Sequence, residues 1–120
     1  MIVDDSIAVR RLLDRVLRQA GYEVVQCRDG KEALETLLGQ GQEVDLVITD
    51  VEMPRLDGYG LLEAIRTAAP LQHLPVTMLT SRGGDRHRQK ALQLGANGYI
   101  TKPFQPQAML ETVAQLLGKR

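Results

Sequence analysis

Three acidic residues stand directly behind short apolar runs: Asp4 and Asp5 after Ile2 and Val3, and Asp50 at the end of Leu46, Val47, Ile48 and Thr49. A continuous rather than alternating apolar run suits a strand covered on both faces in a parallel sheet. The carboxyl edge of such a sheet is where ligands bind. Asp50 alone reads equally well as a turn cap, a common role for aspartate; the second acidic pair, behind the other apolar run, is what turns it into a site candidate. Carboxylates brought to one point repel unless something positive sits among them, and clustered oxygen ligands suit a hard divalent cation. Magnesium is the expected ion. It keeps several waters and is usually held by one or two carboxylates plus phosphate oxygens, so a phosphoryl group is the expected further ligand.

The elements that must position these groups can be read along the chain. Ser6 is a plausible N-cap, and Val9, Leu12, Leu13, Val16, Leu17 and Ala20 give an apolar stripe down a first helix that Gly21 can end. Val24, Val25 and Cys27 make a second strand closed by Asp29 and Gly30; Ala33, Leu34, Leu37 and Leu38 mark a second helix ending near Gly39 and Gly41. The third strand leads through Asp50 to a loop with Met53, Pro54, Asp57 and Gly58, then to a helix with Leu61, Leu62 and Ile65 that stops before Pro70. Pro75 introduces a strand from Val76 to Thr80, and the turn Ser81 to Asp85 leads to a weakly amphipathic helix with Ala91, Leu92 and Leu94, ended by Gly95. Gly98 to Thr101 is the fifth strand, and Pro106 suits the first turn of a last helix carrying Met109, Leu110, Val113, Leu116 and Leu117.

Five alternations of strand and helix with short connections argue an α/β fold: a parallel sheet with helices on both faces and right-handed crossovers. All carboxyl strand ends then open on one edge. That edge collects Asp4, Asp5, Asp50, Thr80, Ser81 and Lys102. Lys102 could hold a phosphate oxygen as a point charge, and Thr80 could donate a hydrogen bond to another. The first strand is short against the usual five or so residues, which suggests excision from a longer chain.

Composition bounds the rest. The 120 residues are 43% hydrophobic and 25% charged, the profile of one globular domain over 1–120. Lys plus Arg and Asp plus Glu are 15 each, so no charge excess marks a nucleic-acid or membrane partner. Aromatics at 3% leave no stacking platform for single strands. The single Cys27, in an apolar run, reads as a buried core thiol and a cytosolic setting. No apolar run reaches the roughly 20 residues of a membrane span, and no charged-then-apolar leader is present. His73 and His87 stand in unlike contexts and read as surface residues rather than ligands.

With these residues in view, the chain resembles a response-regulator receiver domain of the CheY type over essentially its full length. The matching motifs are VDDS at Val3 to Ser6, VITDVEMPRLDG at Val47 to Gly58, LTS at Leu79 to Ser81 and GYITKPF at Gly98 to Phe104. Singly these are weak; four in order at successive strand ends are specific. The resemblance implies a doubly wound, flavodoxin-like five-stranded sheet in the order 2-1-3-4-5 with five helices. It implies Asp50 as phosphoacceptor, with Thr80 and Lys102 contacting the phosphoryl group. It further implies magnesium bound by Asp5, Asp50 and the main-chain carbonyl of Glu52, with Asp4 supporting through water. Thr80 and Tyr99 would form the switch, and a cis peptide is expected between Lys102 and Pro103.

By the same resemblance the donor is a phosphohistidine on a histidine kinase or phosphotransfer domain, and the readout is a downstream signalling protein. The chain would then be a phosphoacceptor module with self-phosphorylation and autodephosphorylation activity rather than an enzyme acting on external substrate. A phosphohydrolase with an aspartate nucleophile would want a general acid and a cap. A flavin or nucleotide binder would want a glycine loop where this chain has Asp4, Asp5 and Ser6. The run SRGGDRHRQKALQLGA resembles receivers at the carboxyl end of chemotaxis-type hybrid histidine kinases, with a free-standing regulator as the alternative; its basic stretch Arg82 to Lys90 is either a solvated face or a docking surface. Glu52 and Arg82, each two residues beyond a site residue, are expected to flank the mouth and able to pair across it.

Overall fold

The computed structural model describes residues 1–39 and 43–118. Its elements follow the expected alternation: β1 (Ile2–Val3), α1 (Ile7–Gln19), β2 (Gln26–Cys27), α2 (Gly30–Leu38), β3 (Val47–Asp50), α3 (Gly58–Thr67), a 3-10 turn (Ala69–Leu71), β4 (Val76–Thr80), α4 (Asp85–Gln93), β5 (Gly98–Thr101) and α5 (Pro106–Leu116). All pairings are parallel and the sheet order is β2-β1-β3-β4-β5.

Alternation along each strand sends side chains to two cores. Ile2, Ile48 and Leu79 meet Leu13 and Leu17 of α1 and Met109 and Val113 of α5 on one face. Val3, Val47, Val76 and Met78 meet Ala33 and Leu37 of α2, Leu61, Leu62 and Ile65 of α3 and Ala91 of α4 on the other. Every residue of β3 and β4 is buried, which is why these strands are continuous apolar runs interrupted only by threonine and Asp50. No helix among the described residues is long and apolar enough to cross a membrane.

Local signals set the helix ends. Ser6 Oγ accepts the Val9 N–H at 3.3 Å to start α1, and Gly21 follows its last turn at φ +95°, a left-handed conformation that glycine adopts without steric cost. Cys27 is buried, as its neighbours imply.

Several boundaries differ from expectation. β2 is only Gln26–Cys27; Val25 contributes a carbonyl that accepts the Ile2 N–H at 2.8 Å, and Val24 lies before the paired segment. Asp29 does not close that strand but caps α2, accepting the Glu32 N–H at 2.9 Å. The α1 stripe is narrower than the apolar pattern: Leu12 is 45% exposed, because a residue one step along a helix from the buried Leu13 is rotated about 100° away from the sheet. Ala20, Leu38 and Leu92 are exposed too. Gly41, expected near the end of α2, lies outside the described residues.

The contrast between two leucine-sized side chains tests this layering. Ile65→Ala, at 0% exposure between α3 and the sheet, should lower unfolding free energy by about 2–5 kcal/mol in urea denaturation. Leu12→Ala should change it by no more than about 0.5 kcal/mol.

Candidate functional site

Strand register assembles the site. Val3 pairs with Thr49, so Asp4 lies alongside Asp50; Asp50 pairs with Leu79, so Thr80 stands one residue farther on; Thr80 pairs with Thr101, so Lys102 follows directly. The Lys102 N–H donates to the Thr80 carbonyl at 2.7 Å, extending the ladder one step beyond β5. The Lys102–Pro103 peptide is cis, as expected.

Lys102 Nζ lies 3.0 Å from Asp4 Oδ2 and 3.4 Å from Asp50 Oδ1. The positive group required among the carboxylates is therefore supplied by the chain itself. Asp4 is fully buried: its Oδ1 accepts the Ser6 N–H at 2.9 Å, and its main-chain carbonyl accepts from Arg10 Nη1 at 2.6 Å. Asp50 is 8% exposed, and its Oδ1 also accepts the Val51 N–H at 2.9 Å. Burial and then the neighbouring Asp4 push the Asp50 carboxyl above its ordinary value, partly offset by Lys102. Burial alone would lower the Lys102 ammonium; the bond to Asp4 and the charges of Asp4 and Asp50 reverse this and raise it.

Asp4, Asp5 and Asp50 each offer a carboxylate oxygen within 4.8 Å of the others. Asp5 is the exposed member and Asp4 and Asp50 the buried ones. This all-oxygen donor set, with one side open, fits a small hard cation that keeps part of its water. The two histidines take no part in it; His73 is exposed and His87 half-buried on α4.

Arg82 links the rest of the mouth. Its guanidinium pairs with Glu52 at 2.5 Å, both side chains more than half exposed. Its N–H donates to Thr80 Oγ1 at 3.1 Å, and its carbonyl accepts the Tyr99 hydroxyl. The expected pairing of Glu52 with Arg82 is thus present, and Thr80 and Tyr99 bond to the two backbone polar groups of one residue, its N–H and its carbonyl.

Two contacts near the site were not legible in the sequence. Arg10 reaches back six residues to the Asp4 carbonyl, and Arg55 grips Asp29 with two bonds, Nε to Oδ2 at 2.8 Å and Nη2 to Oδ1 at 3.1 Å. The MPRLDG loop offered only a basic residue as signal; nothing in it named Asp29 as the partner.

Comparison with known proteins agrees with this geometry. Residues 1–114 match the family model described as response regulator receiver domain. The chain is 36% identical over 119 residues to chemotaxis protein CheY1 of Helicobacter pylori, covering 98% of this chain and 95% of that protein. It is 41% identical over 117 residues to the "probable transcriptional regulator ycf27" of Cyanophora paradoxa, but there it spans 47% of the relative's length, about half. Among solved structures, chemotaxis response regulator CheY4 of Vibrio cholerae superposes with a TM-score of 0.87 at 36% identity, covering 96% of this chain and 94% of that one. The signal receiver domain of a signal transduction histidine kinase from Syntrophus aciditrophicus gives 0.87 at 34% identity, with 98% and 87% covered.

The raised carboxyl of Asp50 carries a pH signature. Its excess proton affinity in the fold contributes stability at pH below the ordinary carboxylate value, and that contribution is lost as pH rises through the raised value. In EDTA, Asp50→Asn should therefore melt above the parent chain at pH 7.5, and the gap should shrink as pH falls through the raised value and have closed once pH is below the ordinary carboxylate value of about 4. A melting difference that stays constant from pH 8 to pH 4, followed by circular dichroism, would contradict the assigned environment.

Proposed function

This chain belongs to the response regulator receiver family, the phosphoacceptor signalling domains of two-component systems, and on that premise we propose that Asp50 is its phosphoacceptor and Asp5, Asp50 and the Glu52 main-chain carbonyl its magnesium ligands, with Asp4 acting through water. The observation that carries the reading is Lys102 Nζ within 3.4 Å of both buried carboxylates, at an edge where three strand ends meet.

Asp50 Oδ1 is engaged by the Val51 N–H and by Lys102, which leaves Oδ2 as the attacking atom. Oδ2 forms the new bond to phosphorus as the nitrogen–phosphorus bond of the donor phosphohistidine breaks. The electron pair departs with the imidazole, which takes up a proton, and Asp50 becomes an acyl phosphate. Lys102 and the Thr80 hydroxyl hold phosphoryl oxygens as charge develops on them. The chemistry a bound magnesium ion supplies is neutralisation of charge between carboxylate and phosphate.

Conversion of Asp50 to the acyl phosphate gives Thr80 Oγ1 a new acceptor. The Thr80 hydroxyl then leaves the Arg82 N–H, and Arg82, whose carbonyl holds Tyr99, is released; Thr80 and Tyr99 are the switch in this reading. The donor is a histidine kinase or a phosphotransfer domain and the recipient of the signal a downstream protein, all in the cytoplasm, with no direct nucleic-acid or membrane contact. A place at the carboxyl end of a hybrid kinase is supported by the basic run after Ser81 and by the kinase receiver among the structural neighbours. The domain catalyses its own phosphorylation and dephosphorylation.

Magnesium-dependent labelling by acetyl phosphate tests the assignment: Asp50→Asn should abolish it, and labelling of that variant at the parent rate would overturn it. Asp5→Ala should weaken magnesium binding, read by nuclear magnetic resonance shifts near Asp50, far more than Lys102→Ala, which should slow labelling instead.

Lifetime is a separate matter. An exposed ion pair contributes only about 0–1 kcal/mol, so the Glu52–Arg82 bridge is assigned a kinetic role, screening the acyl phosphate from in-line water. Glu52→Ala, Arg82→Ala and the double change should all shorten the phosphoryl half-life to a similar extent; equal half-lives in all four proteins would remove the gate.

A further inference from the structure

The loop between β3 and α3 carries Glu52 and turns back at Arg55, whose φ of +69° is the one positive value among the described non-glycine residues. The Leu56 N–H donates to the Pro54 carbonyl at 2.8 Å, so Arg55 sits at the centre of a γ-turn in its rare, strained form. Such a backbone persists only where its surroundings hold it. The holding group is Asp29. It is 4% exposed, caps α2, and takes both Arg55 bonds in the planar, two-point geometry of a guanidinium on a carboxylate. Beside this pair the Gly30 N–H donates to the Leu56 carbonyl at 3.2 Å, and a Cβ at Gly30 would collide with that carbonyl. At its far end the loop is closed by the Gly58 N–H on the Val51 carbonyl at 2.8 Å.

The stretch from Val51 to Gly58 is therefore closed on itself at its base and moored at its tip to the start of α2. Glu52 is the residue just inside the base. We infer that Arg55, through Asp29, is a positioning residue for the cation site: it fixes the loop so that the Glu52 main-chain carbonyl is presented to the Asp5 and Asp50 carboxylates. The inference rests on the magnesium reading given above. It adds a residue outside the acidic cluster.

The backbone at Arg55 allows a clean test. Arg55→Gly keeps the left-handed turn, which glycine adopts without steric cost, and deletes the grip while freeing the backbone there. Asp29→Asn keeps a good helix cap and removes the charge that Arg55 holds. Groups that orient metal ligands from outside the ligand set typically change affinity about 10-fold or more when removed, so both variants should raise the magnesium dissociation constant about 10-fold in calorimetric titration with magnesium chloride. The double variant should add little, because the two residues act as one unit. Acetyl phosphate labelling should slow at low magnesium and return toward the parent rate at saturating magnesium. A merely structural brace would instead lower the melting temperature and leave the dissociation constant within twofold of the parent in both variants; that result overturns the inference. Should Arg55→Gly fail to fold, Asp29→Asn decides by the same criterion. If the parent chain itself binds no magnesium, the magnesium reading falls and the inference with it, an outcome distinct from a parent that binds and variants that bind equally.

Discussion

Two carboxylates buried side by side are tolerable only with a compensating charge, and in this molecule Lys102 is that charge, in contact with Asp4 and Asp50 at once. Removing Lys102 would leave two carboxylates uncompensated in a poorly solvated place, which is costly. Everything around the site serves to keep these three groups in reach of one another. The two apolar cores lock strands whose side-chain period is two, so a slip of one residue would exchange the faces of an entire strand. The same lock that satisfies Ile48 on one side and Val47 on the other fixes where Asp50 ends. Core packing and site geometry are one constraint.

What the sequence disclosed follows from that constraint. Strand ends in a parallel sheet share an edge, so the acidic residues behind Val3 and Thr49, Thr80 at the end of its run and Lys102 behind the last strand could be gathered without knowing the register. Glu52 and Arg82 were legible for a related reason: each lies two residues beyond a site residue on adjacent strands. What stayed hidden depends on direction rather than order. Pattern counting placed Leu12 in the apolar stripe, but the arc of α1 that the sheet covers is narrower than the run of apolar letters. Asp29 looked like the close of a strand because aspartate and glycine end strands and start helices alike. Its partner Arg55 is 26 residues away, joined by a loop path that no local pattern encodes.

The relatives use the domain in two settings. It spans 95% of a free-standing chemotaxis protein and 47% of a longer regulator. The structure explains how both can hold. Every group of the site comes from the sheet edge and its loops, and Arg82 bonds at once to Thr80, Tyr99 and Glu52. A module whose site is complete within its own sheet needs no attached domain to assemble it.

The contact between Lys102 and Asp4 joins residues 98 apart. During synthesis Asp4 precedes Lys102 by 98 residues, so the first strand leaves the ribosome well before the fifth. Until the fifth strand has docked, the acidic edge lacks its ammonium, and Asp4 and Asp50 have reason to remain hydrated rather than sink into the sheet. The last strand of the domain to be synthesised is thus the one that brings the compensating charge to carboxylates set out by the first and third.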